Sequence, residues 1–172
     1  AEEMIKRANA MTGRGGSLSG TVWGGTFHST ANRLLRIYAK AAGLDSNFTV
    51  IAEADAADLL NVVRHELGLA SRDKRFPKKS TCLAIYSRCV NGSEDMELAL
   101  NRFFPWCAMW REELKALFKA YVEKKLQRNV LDYDDLLIYW EQLVGDAAMA
   151  AEIGKKFDHI LNTEFVEINA AL

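Results

Sequence analysis

Residues 25 to 60 read GTFHSTANRLLRIYAKAAGLDSNFTVIAEADAADLL. A short extended run, Thr21 to Phe27, is broken by Gly24-Gly25, and an amphipathic helix follows from about His28 to Ala42. Its apolar stripe is Ala31, Leu34, Leu35, Tyr38 and Ala42, at spacings of three and four. Gly43 stops it. Phe48 to Ile51 is a short strand, and Glu53 opens a second helix whose inward face is Leu59, Leu60, Val63 and Leu67, with Gly68 as its stop. Strand, helix, strand, helix in so few residues is the beginning of a parallel α/β arrangement.

Outward from this stretch the pattern is almost all helical. Upstream, residues 1 to 11 have a helical stripe of Met4, Ile5, Ala8 and Met11, and a Gly/Ser-rich loop fills Thr12 to Gly20. Downstream, Pro77 opens a helix to about Val90, Met96 to Phe104 forms a short one, and Pro105 starts a long one to about Arg128. The aromatic-rich stripe Phe103, Phe104, Trp106, Trp110, Leu114, Leu117, Phe118 and Tyr121 reads as helical core, with a base-stacking platform as the alternative. Asp132 is an N-cap for a helix to Val144, and Asp146 starts another. His159 to Phe165 is strand-like. The expected fold is mainly α with a few short parallel strands. Residues 53–131 form a helical insert between two stretches of one α/β body, 1–52 and 132–172.

With 49% apolar and 26% charged residues in 172, the chain can bury a real core, and disorder, collagen and coiled coil are excluded. Only two prolines occur. The net charge of -1 conceals an asymmetry. Residues 132–172 carry nine acids and two bases, a net of -7, and residues 1–131 carry twenty bases and fourteen acids, a net of +6. Arg72, Lys74, Arg75, Lys78 and Lys79 make a dense basic run, read either as a solvated face or as a polyanion contact. Cys82, Cys89 and Cys107 form no CxxC pair and read as reduced core thiols, which places the chain in the cytoplasm. No apolar run reaches membrane-span length, so no membrane partner is expected.

No Walker A loop, HExxH or GxSxG is present. The acids of Asp132-Tyr133-Asp134-Asp135 are consecutive on a helix and point apart, so capping explains them better than a metal site, and no metal ligand is assigned. Gly25-Thr26-Phe27-His28-Ser29 places hydroxyls and an imidazole where a strand turns into a helix. Free N–H groups and a positive dipole end suit a phosphate there, and Arg33 follows a turn and a half later. Ser29 or His28 merely capping the helix is the alternative.

These residues carry a family resemblance. GTFHST within residues 25 to 60 resembles the TFH-motif segment of superfamily 1 DNA helicases of the UvrD, PcrA and Rep type. LDYDDLL (131–137) resembles their LDFDDL segment, AEEMIKR (1–7) the tail of their motif Ia, and HILNTEF–VEIN (159–169) their Walker B stretch HILVDEFQDTN. The resemblance implies an incomplete P-loop NTPase (RecA-like) domain carrying a helical insert, from an ATP-dependent 3′–5′ helicase. It implies single-stranded or partly duplex DNA as a partner through Thr26, Phe27, His28, Ser29 and Arg33, with the basic run from Arg72 to Lys79 against the duplex backbone.

Glu164 matches the family's catalytic glutamate. Thr163 stands where the family has the aspartate that holds Mg²⁺, and a hydroxyl is a poor substitute for that carboxylate. ATP and Mg²⁺ are therefore expected for the parent helicase, with no cofactor and no ATP hydrolysis in this chain alone. The chain starts at Ala1 inside a helical pattern, so a piece of the parent is expected, with the rest of the helicase as partner. Unpaired strand edges are expected to favour self-association, with exchange of residues 159–172 as one route. A stand-alone, non-catalytic helical interaction module descended from a helicase is the alternative.

Overall fold

The computed structural model describes residues 23–71, 76–92 and 95–160. It is mostly helical, with two short parallel strands. The elements in chain order are α1 (Phe27–Ile37), β1 (Thr49–Val50), α2 (Glu53–Glu66), a 3₁₀ turn (Leu69–Ser71), α3 (Lys79–Gly92), α4 (Met96–Phe103), a 3₁₀ segment (Pro105–Trp110), α5 (Arg111–Gln127), β2 (Val130–Leu131), α6 (Tyr133–Gly145) and α7 (Ala147–Gly154). Thr49 aligns with Val130 and Val50 with Leu131. The Thr49 and Ile51 N–H groups donate to the carbonyls of Asn129 and Leu131 at 3.0 and 2.9 Å.

Burial divides between two cores. The larger gathers Leu59, Leu60 and Val63 of α2, Cys82, Ile85 and Tyr86 of α3, Leu100 of α4, and Leu114, Leu117, Phe118 and Tyr121 of α5. The smaller packs Ala31, Leu34 and Leu35 of α1 with Phe48, Leu131, Leu136 and Leu143 of α6, and Ile153 of α7. The two strands lie between them: Ile51 and Val130 pack on the larger core, Val50 and Leu131 on the smaller.

Four details depart from the sequence expectation. First, α1 ends at Ile37 rather than Ala42. Arg36 donates to the Ser46 and Phe48 carbonyls at 3.0 and 3.1 Å and lies over the Phe48 ring, drawing the chain back toward α1. Second, Leu67 is 42% exposed. It caps α2 from outside the last helical turn, Gly68 reverses the chain at φ +67°, and Leu69 is the residue that enters the core.

Third, Pro105 opens a 3₁₀ segment, and the α-helix begins only at Arg111. At three residues per turn Cys107 and Trp110 point inward and Trp106 points out, so Trp106 is 67% exposed and does not belong to the core stripe. Phe103 and Phe104 are half-buried. Fourth, Val130–Leu131 is a strand that the sequence reading passed over. The expected helix at 1–11 and strand at 159–165 fall outside the described residues, apart from the exposed His159 and Ile160.

The three cysteines are free, with Cys82 and Cys107 buried. Burial pushes the Cys82 thiol up to about 12. No helix among the described residues is long and apolar enough to cross a membrane.

Candidate nucleic-acid interface

The corner before α1 is built by local chemistry. Thr26 is in extended conformation and caps the helix: its hydroxyl oxygen accepts from the Ser29 N–H at 3.3 Å, and the Ser29 hydroxyl donates back to the Thr26 carbonyl at 2.8 Å. A Cβ at Gly25 would lie 2.1 Å from the Ser29 hydroxyl and would turn it away from the Thr26 carbonyl. The cap is thus Thr26 rather than Ser29 or His28, and the Ser29 N–H and hydroxyl both bond to Thr26. In such a cap the N–H groups of Phe27 and His28 lie ahead of the first intrahelical bond and face outward.

Three ring contacts seat the corner. His28 meets Tyr133 edge to face at 5.4 Å. Phe27, 37% exposed, lies 6.1 Å from Trp140, two turns further along α6. The Arg33 guanidinium stacks 3.7 Å from the Trp23 ring, itself edge-on to Phe157 at 5.0 Å. The α1–α6 pairing therefore brings Thr26, Phe27, His28, Ser29 and Arg33 to one end of the smaller core.

Tyr133 also lines a cleft of about 450 Å³, whose other wall is α3 with Ser80, Ser87, Arg88 and Asn91. Of the basic run, Lys78 and Lys79 are exposed at the start of α3, next to Ser80. Lys79 is ion-paired with Asp58 of α2, so only part of its charge is offered outward. Arg72, Lys74, Arg75, Thr163 and Glu164 lie outside the described residues.

The Asp132–Asp135 segment does more than cap. The Asp132 carboxylate accepts from the Asp135 N–H at 2.9 Å, and the Asp135 carboxylate from the Asp132 N–H at 3.0 Å, a capping box that starts α6. The expectation that these acids diverge holds for Asp134, which accepts from Asn91 at 2.7 Å and Ser87 at 3.1 Å on α3. It fails for the other two. Asp132 and Asp135, three apart, both converge on the Lys125 ammonium at 2.7 Å, and that cation is an amine, not a metal.

Lys125 is only 2% exposed. It also donates to the Tyr86 hydroxyl at 3.2 Å and sits against the Tyr86 and Tyr121 rings, and the Tyr121 hydroxyl donates to Asp132 at 2.8 Å. Among the described residues no three His, Cys, Asp or Glu side chains are grouped to hold a metal ion.

Two carboxylates against one ammonium leave a net negative charge in the interior. Burial pushes Asp135 up to about 6, helped by Asp132 and opposed by Lys125. Burial acts on Asp132 in the same sense, but Lys125, the Asp135 N–H and the additional Tyr121 donor outweigh it, and Asp132 falls below the usual carboxylate range. Burial works against the Lys125 ammonium, and the two aspartates more than compensate, holding it above the ordinary lysine value. The signal for this cluster was in the sequence: Lys125 is in phase with Leu114, Leu117, Phe118 and Tyr121, so a lysine falls on the buried stripe of α5 and needs counter-charge.

Comparison with known proteins agrees with this architecture. The chain is 29% identical to DNA helicase II of Haemophilus influenzae over 150 residues, covering 86% of the chain and 20% of that protein. It is 30% identical to ATP-dependent DNA helicase UvrD1 of Mycobacterium tuberculosis over 173 residues, covering 99% of the chain and 22% of that protein. It is 28% identical to ATP-dependent DNA helicase PcrA of Bacillus subtilis, with the same coverage. The chain thus spans about a fifth of the length of these relatives. The UvrD/REP helicase N-terminal domain model matches residues 1–171, and the chain belongs to that family.

Proposed function

We propose that the chain supplies DNA contacts to the first, RecA-like motor domain of an ATP-dependent DNA helicase of the UvrD type. Residues 53–131 are its helical insert, and the rest of the helicase is its partner, acting in the cytoplasm. The observation that carries this reading is the corner at Thr26–Ser29. A capped helix end with outward N–H groups is braced by His28 on Tyr133 and Phe27 on Trp140, next to a cleft that Tyr133 lines with Ser80, Arg88, Glu53 and Asp134. Backbone N–H groups, an imidazole and lysines are phosphate ligands without base preference, so binding should be non-specific and salt-dependent.

ATP and Mg²⁺ belong to the parent enzyme in this reading, and Glu164 would be its catalytic glutamate. No step of hydrolysis is assigned to the described residues. A second reading, a non-catalytic interaction module, draws on the exposed Trp106 and Met109 of the 3₁₀ segment.

Fluorescence anisotropy with a single-stranded oligonucleotide separates the two. Binding should be measurable at low salt and fade steeply toward moderate salt. His28→Gln should weaken it, and Lys78→Ala should lower the log–log salt slope by about 0.7. No binding at low salt, or a signal indifferent to salt, sinks the DNA reading in favour of the interaction module.

A further inference from the structure

The acids of the 132–135 segment all reach across to the helices of the larger core. Asp132 and Asp135 hold Lys125 of α5, Asp132 also takes the Tyr121 hydroxyl, and Asp134 takes Ser87 and Asn91 of α3. The residue they flank, Tyr133, is the one against which His28 rests. The first turn of α6 is therefore gripped from one side by the larger core and supports the corner on the other. The sheet between the cores at this point is a two-residue hydrogen-bonded strand pair, too short to fix an orientation on its own. The cluster supplies what the strands do not. A buried ammonium with two carboxylates at 2.7 Å and two tyrosine rings against it admits few geometries, so it specifies position rather than merely adding stability.

We propose that the Lys125 cluster is the joint that sets the helical segment 53–127 against α6 and thereby seats His28 at the corner, making Lys125 a positioning residue for the DNA contact; this rests on the DNA reading above. Displacement of the insert would be felt at His28 through Tyr133, and DNA held at the corner would in turn bias the insert. Such reciprocity is the ordinary consequence of two sites sharing one support.

The experiment compares the 172-residue chain with Lys125→Met, which keeps the side chain's length and removes its charge, and with Tyr121→Phe, which removes one donor and leaves a foldable core. Leu100→Ala, which empties the larger core without touching the joint's hydrogen bonds, controls for loss of stability alone. Two quantities are read. The first, without DNA, is the ring-proton NMR resonance of His28, identified among the three histidines by its loss in His28→Gln. The second is affinity for a single-stranded oligonucleotide.

Lys125→Met should move the His28 resonance and weaken binding roughly fivefold. Tyr121→Phe should do the same to a smaller degree, and Leu100→Ala should do neither. If Lys125→Met does not fold, Tyr121→Phe decides. A His28 resonance that stays where it is in the folded joint variants overturns the joint. A moved resonance with unchanged affinity overturns the positioning role. A wild-type chain that does not bind, with a resonance that still moves, overturns the DNA reading and leaves the joint standing.

Discussion

The two cores treat buried polar groups differently. In and beside the larger one, Lys125, Asp132 and Asp135 are buried and every one of them is paired, and the Tyr86 and Tyr121 hydroxyls join the same network. Its aromatic rings meet edge to face, Tyr86 with Phe118 at 5.4 Å and with Tyr121 at 5.3 Å. In the smaller core the Tyr38 hydroxyl and the Trp140 indole N–H are buried without a hydrogen-bond partner among the described residues, and Phe27 is partly exposed. The larger core ties its buried charges into one network, and the smaller core, which leaves two buried polar atoms unpaired, carries the Thr26–Ser29 corner. On the proposal above, the first supports and the second receives the ligand.

The sharpest way to break this contrast is Asp132→Ala. It removes the α6 cap and strips Tyr121 and Lys125 of one acceptor while Asp135 still pairs the ammonium, so denaturant unfolding should show a loss of about 2–4 kcal/mol. A loss of about 1 kcal/mol or less, the value of a surface ion pair, would mean that the joint is not a closed network.

A smaller effect comes from acid. Asp135 binds its proton more readily folded, at about 6, than at the ordinary 3.8. Its contribution to stability is therefore fully present below the unfolded value and lost as pH rises through 6. Unfolding free energies of wild type minus Asp135→Asn should increase by about 2 kcal/mol from pH 7.5 down to pH 4.5. The groups facing Asp135 are Lys125 and Tyr121 of α5, Tyr86 of α3, and Asp132 and Tyr139 at α6. Lysine and tyrosines are all shifted up, away from this window, so the change belongs to the aspartates. A flat difference would place Asp135 outside the buried charge balance.

The finest comparison makes the same substitution in both cores. Tyr121→Phe deprives Asp132 of a donor and should cost about 1–2 kcal/mol, while Tyr38→Phe deletes an unpaired hydroxyl and should stay within about 0.5 kcal/mol in thermal unfolding. Equal costs would erase the distinction.

What the sequence made legible follows from the range of the interactions involved. Local rules located α1, α2, α6 and α7, because spacing of Leu34 and Leu35 or of Leu59, Leu60 and Val63, and caps such as Asp132 and Asp146, act within a turn or two. The corner was legible as a helix start, and Thr26 with Ser29 caps it, although no strand precedes it among the described residues. The support beneath it was legible only in part. Lys125 stood out as a lysine on the buried stripe of α5, but its aspartates, seven and ten residues on, are reached only once β2 turns the chain from α5 into α6, and Tyr133 meets His28 over more than a hundred residues. The 3₁₀ start at Pro105 was lost for a different reason: Trp106 and Trp110 share a face at α-helical spacing, and only the tighter winding turns Trp106 out.

The parallel strand pair has a consequence for the order of folding. It ties together residues about eighty positions apart, and closing a flexible loop of that length costs roughly 4 kcal/mol in chain entropy. The few hydrogen bonds of so short a ladder, each worth about 1 kcal/mol net, do not offset this on their own. The ladder becomes favourable only after the intervening helices have collapsed and brought its ends together. The Ile51 amide, which donates across that ladder, is then a reporter of distant events: its hydrogen exchange should follow the opening of the larger core, and slow exchange there would mark the moment the whole helical segment is in place.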